Sequence, residues 1–279
     1  NPACELGHVR VSRDIFAVAR DPEVDIVVEL IGGTTVAREL VELALDSGKH
    51  VVTANKALIA EFGNDLFAQA ESRGVTICYE AAVAGGIPII KALREGLSAN
   101  HIEWIAGIIN GTGNFILTEM KDKGRDFADV LAEAQALGYA EADPTFDVEG
   151  IDAAHKLAIL STLAFGTRPD FDGIEIEGIE RVAIEDIRNA ADMGYRIKLL
   201  GVAQMTGRGL ESRMSPCLVP ADSPYVIATT KPLPEPLYGH LMAISQAELT
   251  TAVDQWRKLV AEQQASPEPD PLLAQTASV

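Results

Sequence analysis

The chain has 279 residues, 47% of them hydrophobic, which is enough for two domains that share a well-packed core. A formal net charge of −18 argues against nucleic acid as a partner, because its phosphates require clustered lysine and arginine. No window approaches the roughly 18 uninterrupted apolar residues of a membrane span, so no membrane association is expected. The three cysteines lack metal-ligand spacing and favour a reducing, cytoplasmic setting.

The chain begins at Asn1-Pro2, without an initiator methionine. It also lacks the basic segment followed by an apolar run that marks a secretory signal. We therefore expect the sequence to start partway through a longer protein.

Apolar runs and helical stretches alternate over the first 79 residues. Gly48 and Gly74 follow the two helical stretches, and glycine is the usual residue just beyond a helix end. The predicted strands are 25–31, 49–53 and 75–79, and the predicted helices are 36–47 and 57–73. This alternation predicts an α/β fold with a parallel sheet. We assign residues 1–86 to a partial Rossmann-type, NAD(P)-binding domain.

Helices and strands then follow in a mixed order, which predicts an α+β domain over residues 87–224. Its predicted helices are 88–96, 115–123, 127–137, 151–165 and 185–195, and its predicted strands are 101–109, 197–205 and 210–219. Residues 225–279 form an atypical proline-rich tail. Within this tail we predict one amphipathic helix at 245–264 and disorder over 266–279.

Two candidate sites come directly after strands of the predicted parallel sheet, where ligands of such sheets bind. In Gly32-Gly33-Thr34-Thr35, the amides of the following helix favour a phosphate, or the glycines only form a tight turn. In Thr53-Ala54-Asn55-Lys56, the lysine should point into the same crevice, although a single lysine is more often solvated surface.

Two more candidates are irregular turns. The Gly-Gly kink of Tyr79–Pro88 leaves carbonyl oxygens that could converge on a hard cation such as Na⁺, or it forms a hinge between domains. Asn110-Gly111-Thr112-Gly113-Asn114 could bind polar groups of a substrate through backbone amides. The alternative for this second turn is a strand-to-helix loop with Asn114 as the N-cap.

The strongest candidate is the segment Gly138–Lys156. Asp152 and Lys156 are four residues apart and lie on one face of a helix that is apolar nearly all round, which predicts its burial. The alternative is a surface ion pair worth about 0.2–0.5 kcal/mol, but burial argues against it. Three further carboxylates precede this helix on a loop predicted to cap it: Glu141, Asp143 and Asp147.

Several carboxylates near one point can hold a substrate ammonium group, and a lysine beside them can exchange a proton with a hydroxyl or carbonyl oxygen. A dinucleotide crevice next to this group would allow hydride transfer at the carbon that bears the oxygen. The residues thus indicate an oxidoreductase that acts on an amino alcohol or an amino aldehyde.

These motifs, in this order, resemble homoserine dehydrogenase across residues 10–224. The matching stretches are 25–33, 52–58, 79–88, 110–114, 138–156 and 178–200. The resemblance implies NAD- or NADP-dependent interconversion of L-homoserine and L-aspartate 4-semialdehyde, a step towards threonine, methionine and isoleucine. It also implies a homodimer paired through the sheet of the second, catalytic and dimerisation domain.

The resemblance also implies roles for individual residues. Lys156 would be the proton donor and acceptor, with Lys56 and Asp152 as the other catalytic residues. The implied substrate-binding residues are Glu141, Asp147 and Asp152, and the implied cofactor-binding residues are Thr34, Lys56 and Gly138. A structural Na⁺ would be bound by Glu80, Val83, Gly85 and Ile87.

The sequence departs from this family at both ends. It has no G-x-G-x-x-G phosphate loop, and the residues from Tyr225 onward do not resemble the family's closing segment. Two alternatives therefore stay open: a catalytically inactive remnant that acts only as a dimerising scaffold, and a related dehydrogenase that acts on another amino aldehyde.

Overall fold

The computed structural model describes residues 9–223. Its first layer is a three-stranded parallel sheet, as the sequence predicted, and the strand order is β1-β2-β3. The strands are β1 (Ile26–Glu29), β2 (His50–Thr53) and β3 (Ile77–Cys78). The helices of this layer are α1 (Ile15–Arg20), α2 (Val36–Asp46) and α3 (Lys56–Arg73).

Side-chain alternation explains how this sheet is buried on one face. Val27 and Glu29 of β1, with Val51 and Thr53 of β2, point into the interior. The helix α2 packs its apolar stripe against both strands and against α3. Helix α3 ends at Gly74, whose φ of 67° is the left-handed conformation that glycine adopts without strain.

A short irregular connection leads to the second layer. It contains a 3₁₀ turn at Glu80–Ala82, a one-turn helix α4 (Ile89–Lys91) and a π-helical turn at Ala92–Gly96. The single helix predicted over 88–96 is therefore divided into two kinds of turn. The first strand beyond it, β4 (Trp104–Gly107), is shorter than the predicted 101–109.

The second layer is a four-stranded mixed sheet in the order β4-β6-β7-β5. A long antiparallel hairpin forms its centre, with β6 (Tyr195–Thr206) and β7 (Gly209–Pro220) paired along their whole length. The sequence predicted this pair. The two-residue strand β5 (Glu175–Ile176), which pairs parallel with β7, was missed because so short a segment carries no periodic signal.

Helices cover one face of this sheet. Three of them, α5 (Gly111–Lys123), α8 (Ile151–Phe165) and α9 (Ile184–Asp192), pack against β6, while α6 (Phe127–Ala136) packs on α5 and α7 (Thr145–Val148) packs on α5 and α8. The central helix α8 contacts both β6 and α3, so it joins the two layers. It is buried along most of its length, which confirms the prediction drawn from its apolar sequence.

Three local predictions were wrong. The N-cap of α5 is Asn110, whose side chain accepts a hydrogen bond from the Gly113 amide, and not Asn114. The predicted loop 141–150 does not cap α8 with a side chain, because the N-cap position is Gly150. The predicted helix 185–195 ends at Asp192, since Gly194 has a φ of 83° and Tyr195 already begins β6.

The amphipathic helix predicted at 245–264 and the disorder predicted over 266–279 lie outside the residues that the structure describes. Between residues 9 and 223, no helix is both long enough and apolar enough to cross a membrane.

Candidate active site

The carboxylate of Asp152 lies between two lysine ammonium groups. Its Oδ2 accepts a hydrogen bond from Lys156 Nζ at 2.5 Å, and its Oδ1 lies 3.0 Å from Lys56 Nζ. Lys156 Nζ also donates to the carbonyl oxygen of Ile109, at 3.1 Å. Lys156 and Asp152 share one face of α8, as the four-residue spacing predicted, whereas Lys56 is the first residue of α3 in the other layer.

This ion cluster is more buried than a surface pair. The Asp152 and Lys156 side chains are 12% and 16% exposed, while that of Lys56 is 36% exposed. Desolvation of the Asp152 carboxyl tends to raise its pKa, but the charges of Lys156 and Lys56 outweigh this effect and hold the pKa below its usual value. Asp152 is therefore an anion that orders both lysines.

Asn110 connects this cluster to the carboxylate of Asp147. Its Nδ2 donates to Asp147 Oδ1 at 2.7 Å and to Asp152 Oδ2 at 3.2 Å. Its Oδ1 meanwhile caps α5 by accepting from the Gly113 amide at 2.6 Å. One amide side chain thus ends a helix and holds two carboxylates in place, which combines two of the five sequence candidates in one site.

A second polar network lies at the carboxyl ends of β1 and β2. Glu29 is fully buried, and its Oε1 accepts from the amides of Ile31 and Gly32 at 2.7 and 2.9 Å. Its Oε2 accepts from the Thr53 hydroxyl at 2.5 Å. The sequence analysis gave Glu29 no role, although a glutamate inside an apolar strand was a signal that it has a buried partner.

Asn55 extends this network to the start of α3. Its Nδ2 donates to the Gly33 carbonyl oxygen at 2.7 Å, and its Oδ1 caps α3 by accepting from the Leu58 amide. The Gly-Gly turn and the residue before Lys56 are therefore in direct contact. As predicted, the two strand-end motifs lie at one edge of the sheet.

Space for a ligand exists beside two glycines of the candidate turn 32–35 and beside the predicted cofactor-binding residue Gly138. Gly32 and Gly33 have φ values of 80° and 73°, and a Cβ added to either would meet no atom within 4 Å. Gly138 has a φ of 76° and is equally open. Thr34 is half-buried at the start of the turn into α2. The Thr112 hydroxyl donates to the Tyr139 carbonyl oxygen at 3.1 Å, which places the turn after Gly138 against the first turn of α5.

The remaining carboxylates of the Gly138–Lys156 segment differ in their surroundings. Asp147 lies in α7 and is held by Asn110, whereas the exposed Asp143 accepts from the Thr145 amide. Glu141 is exposed, and its backbone carbonyl accepts from Gln135. Among residues 9–223, no hydrogen bond or ion pair connects the Glu141 carboxylate to the lysine cluster.

The turn predicted to bind Na⁺ is strained. Ala84 has a φ of 56°, which is uncommon for a residue other than glycine. The Glu80 carboxylate accepts from the amides of Ile90 and Lys91, both at 3.0 Å. Across the described part of the chain no three His, Cys, Asp or Glu side chains form a metal-binding group, so a cation at this turn would depend on backbone carbonyls.

His155 was missed by the sequence analysis. It lies on α8 between Asp152 and Lys156, is 1% exposed and stacks on Phe171 with ring centroids 4.3 Å apart. Its Nε2 is 3.3 Å from Glu61 Oε1, but the angle does not make a hydrogen bond. Burial lowers its pKa, although the Asp152 charge opposes this and Lys56 adds to it. A neutral ring therefore packs behind the lysine cluster.

A parallel sheet with glycine turns at its strand ends, joined by Lys56 to a buried lysine–carboxylate cluster, defines an α/β protein of the nucleotide-dependent dehydrogenase class. Comparison with known proteins identifies the particular family. The family model described as "Homoserine dehydrogenase" matches residues 88–231, and the one described as "Homoserine dehydrogenase, NAD binding domain" matches residues 1–80. The chain belongs to the homoserine dehydrogenase family.

Individual relatives agree with this assignment. The chain is 64% identical over 222 residues to a homoserine dehydrogenase of Pseudomonas aeruginosa, covering 80% of this chain and 51% of the relative. It is 47% identical over 214 residues to one of Bacillus subtilis, covering 77% and 49%. The chain thus spans about half the length of the curated relatives it matches.

Solved structures of the family have the same fold. A homoserine dehydrogenase from Thiobacillus denitrificans superposes with a TM-score of 0.78 at 60% identity, covering 80% of this chain and 52% of that one. A hyperthermophilic archaeal homoserine dehydrogenase, solved in complex with NADPH, superposes with a TM-score of 0.64 at 30% identity, covering 76% and 61%.

Proposed function

We propose that this chain carries the substrate half of an NAD(P)-dependent homoserine dehydrogenase, which interconverts L-homoserine and L-aspartate 4-semialdehyde. The observation that supports this most strongly is the position of Asp152 between Lys56 and Lys156. In this arrangement two ammonium groups from different layers are held at one carboxylate. Either could reach a substrate oxygen placed between the layers.

Lys156 is the residue that we propose as proton donor and acceptor. When the aldehyde is reduced, its ammonium group donates a proton to the carbonyl oxygen as a hydride reaches the carbonyl carbon. When homoserine is oxidised, the same nitrogen accepts the hydroxyl proton. Asp152 and the Ile109 carbonyl hold Nζ in position, and the Lys56 charge favours an oxygen that carries negative charge.

The substrate ammonium group would be bound by carboxylates beside this cluster. Asp147, held by Asn110, lies next to Asp152 and is better placed than Glu141, the other predicted partner outside the lysine cluster. Glu141 is exposed on the loop before α7, so its proposed contact requires substrate to lie across that loop. The ammonium group of such a substrate would pair with these carboxylates, and its aldehyde oxygen would face the two lysines.

The crevice at the strand ends of the parallel sheet is the proposed NAD(P) site. The open backbone at Gly32 and Gly33, with Thr34 at the entrance to α2, suits a phosphate group. Lys56 and the turn at Gly138 would contact the cofactor from α3 and from the second layer. When bound, the nicotinamide supplies or accepts the hydride.

The experiment is reduction of L-aspartate 4-semialdehyde by this chain, followed by the loss of NADPH absorbance. We expect turnover in the unmodified chain and a fall in kcat of about 10²–10⁴-fold in Lys156→Ala, the range for loss of a general acid. Lys91→Ala, at a lysine whose side chain is 67% exposed, is the matched control. Unchanged turnover in Lys156→Ala would contradict the role of Lys156.

Substrate binding can be measured apart from turnover. Calorimetric titration with L-homoserine should show binding that is weakened in Asp147→Asn. A panel of other amino alcohols and amino aldehydes tests the alternative substrate directly. The complete Lys56–Asp152–Lys156 cluster speaks against the catalytically inactive scaffold, because such a scaffold does not need these charges.

A structural Na⁺ is proposed at the turn after β3. Its ligands would be carbonyl oxygens of Glu80, Val83, Gly85 and Ile87, and the strained backbone at Ala84 is the feature that supports a bound cation there. Thermal unfolding in NaCl compared with choline chloride tests this proposal. We expect a higher Tm in Na⁺, and an equal Tm in both salts would contradict it.

A homodimer is proposed through the face of the four-stranded sheet that the helices leave uncovered. Trp104 and Val202 lie on this face, opposite the buried Leu199 and Ala203, and Trp104 is 53% exposed. Light scattering should give a dimer mass for the chain and a monomer for Trp104→Glu. Met193→Glu, at a comparably exposed apolar residue after α9, should remain a dimer.

The proposed reaction would serve threonine, methionine and isoleucine synthesis in the cytoplasm.

A further inference from the structure

A buried lysine lies away from the candidate active site. Lys198 is 3% exposed, in the part of β6 that extends beyond its pairing with β4. It belongs to the segment 194–200, for which neither the sequence nor the proposed reaction provides a role. A buried ammonium group without an anion is unfavourable, so its partners decide what it can do.

The partners of Lys198 are neutral. Its Nζ donates to Asn114 Oδ1 at 2.7 Å and to Thr118 Oγ1 at 3.0 Å, both on α5. Thr118 in turn donates its hydroxyl proton to the Asn114 carbonyl oxygen. An ammonium group has three N–H donors, so one of them has no acceptor among residues 9–223.

Other cations surround the same point. A small cavity between α5, α9 and β6 is lined by Lys198 and by Thr118, Lys121 and Arg196. Lys121 is paired with Asp122 at 2.7 Å, whereas among residues 9–223 the Arg196 guanidinium donates only to the Tyr195 carbonyl oxygen. Burial, together with the charges of Lys121 and Arg196 and against the effect of Asp122, lowers the pKa of Lys198 to about 8. Positive charge thus exceeds negative charge here, in a chain of net charge −18.

The size of the cavity limits what it can hold. Its interior volume of about 10 Å³ admits one water-sized atom, and the cavity is only partly enclosed by protein. A single oxygen of a carboxylate or phosphate would fit inside, with the rest of the anion at the opening beside Arg196. That oxygen would accept the free N–H of Lys198 and supply the missing negative charge.

We propose that Lys198 and Arg196 form a binding site for a small oxyanion, a carboxylate or a phosphate group, separate from the Lys56–Asp152–Lys156 cluster. The bound oxygen accepts from Lys198 inside the cavity, and Arg196 contacts the anion at its opening. Because Asn114 is one turn from Asn110 on α5, an occupied site stabilises the helix whose N-cap orders the candidate active site.

The test is thermal unfolding of the full chain in sodium acetate and, separately, in inorganic phosphate, with chloride replaced at constant ionic strength. At ten times the Kd, binding should raise Tm by about 3–6 °C, in a saturable manner. The stronger of the two effects identifies carboxylate or phosphate as the preferred chemistry. Lys198→Met should abolish the rise, and Lys91→Met, an exposed lysine, should retain it.

A second pair of variants applies if Lys198→Met does not fold. Arg196→Gln should weaken the apparent affinity for the oxyanion several-fold, while Arg208→Gln, at a side chain 88% exposed in the β6–β7 turn, should not change it. The proposal is wrong if neither oxyanion raises Tm, because water alone then fills the cavity. It is also wrong if the rise persists unchanged in Lys198→Met or Arg196→Gln.

Discussion

Lys56 Nζ lies 3.0 Å from Asp152 Oδ1, although Lys56 begins a helix of the parallel-sheet layer and Asp152 lies in the first turn of a helix of the mixed-sheet layer. This ion pair crosses between the layers at the place where we propose that the reaction occurs. The same carboxylate accepts from Lys156. The position of both lysines therefore depends on a single negative charge.

Asp152→Asn should lower the free energy of unfolding by about 1–3 kcal/mol at pH 7, between the values for an exposed and a buried pair. It leaves two ammonium groups close together without an anion. Because the pKa of Asp152 is held below its usual value of 3.8, its stabilising effect is present above that pH and is lost as the pH falls through the folded-state value. Denaturant unfolding at several pH values measures this difference.

The control for this variant is Asp192→Asn, at an exposed aspartate that ends α9. It should unfold like the unmodified chain at every pH. Equal stability of Asp152→Asn and the unmodified chain at pH 7 would show that the two lysines gain nothing from the carboxylate.

Asn110→Ala and Asn110→Asp should separate the two tasks of this side chain. Alanine removes the cap of α5 and should cost about 0.5–2 kcal/mol of stability. Aspartate keeps a capping oxygen for the Gly113 amide but places a third carboxylate against Asp147 and Asp152. We expect Asn110→Asp to retain more helix stability than Asn110→Ala. We also expect it to disturb the carboxylates of Asp147 and Asp152.

Circular dichroism during thermal unfolding measures the stability that the cap of α5 contributes. The pH dependence of L-homoserine binding measures the effect of the substitution on the carboxylates of Asp147 and Asp152. A third carboxylate should raise the pKa of the neighbouring Asp152 carboxyl. Binding of L-homoserine to Asn110→Asp should therefore require a higher pH than binding to the unmodified chain. Identical pH profiles in the variant and the unmodified chain would contradict contact between Asn110 and the substrate-binding carboxylates of Asp147 and Asp152.

Glu29→Gln should destabilise the strand-end turn. The carboxylate accepts three hydrogen bonds inside the protein, and the amide group replaces one acceptor oxygen with a donor facing Thr53. We expect a loss of about 1–3 kcal/mol, the cost of leaving a buried polar group without its partner. Glu39→Gln, at an exposed glutamate in the first turn of α2, should have no such effect in chemical denaturation.

The affinity for NADPH should also depend on this turn. Because Glu29 orders the amides of Ile31 and Gly32, its loss should raise the Kd for NADPH even where the protein remains folded. Fluorescence titration at a temperature well below Tm separates the two effects. An unchanged Kd for NADPH in a destabilised Glu29→Gln variant would show that the Gly32–Gly33 turn does not contribute to the proposed cofactor site.

Lys198 should make the stability of the protein increase at alkaline pH, in a buffer without oxyanions. Its pKa is about 8 when folded and 10.5 when exposed, so the unfolded chain binds more protons between these values. The contribution of Lys198 to stability is therefore lowest below pH 8 and rises towards pH 10.5, by about 3 kcal/mol at 1.36 kcal/mol per pH unit. Urea unfolding of the unmodified chain and of Lys198→Met at pH 7 and 10 measures this, and only the former should show the rise.

Regular elements were predictable from the sequence because each is a local pattern. The apolar runs of β1 and β2, the glycines after α2 and α3, and the apolar helix α8 each carry their information within a few residues. The spacing of Asp152 and Lys156 likewise determined that they share a helix face. The family resemblance rests on the same local motifs.

Contacts between distant residues were decided only by the tertiary structure. No local pattern shows that Lys56 meets Asp152, that Asn110 holds Asp147, or that Glu29 is buried beneath a glycine turn. Burial could not be predicted for Glu141 or for Lys198 either. The glutamate of the strongest motif is exposed, whereas a lysine in a strand is buried. Burial and pairing depend on which elements pack together, and packing brings together residues that the sequence keeps far apart.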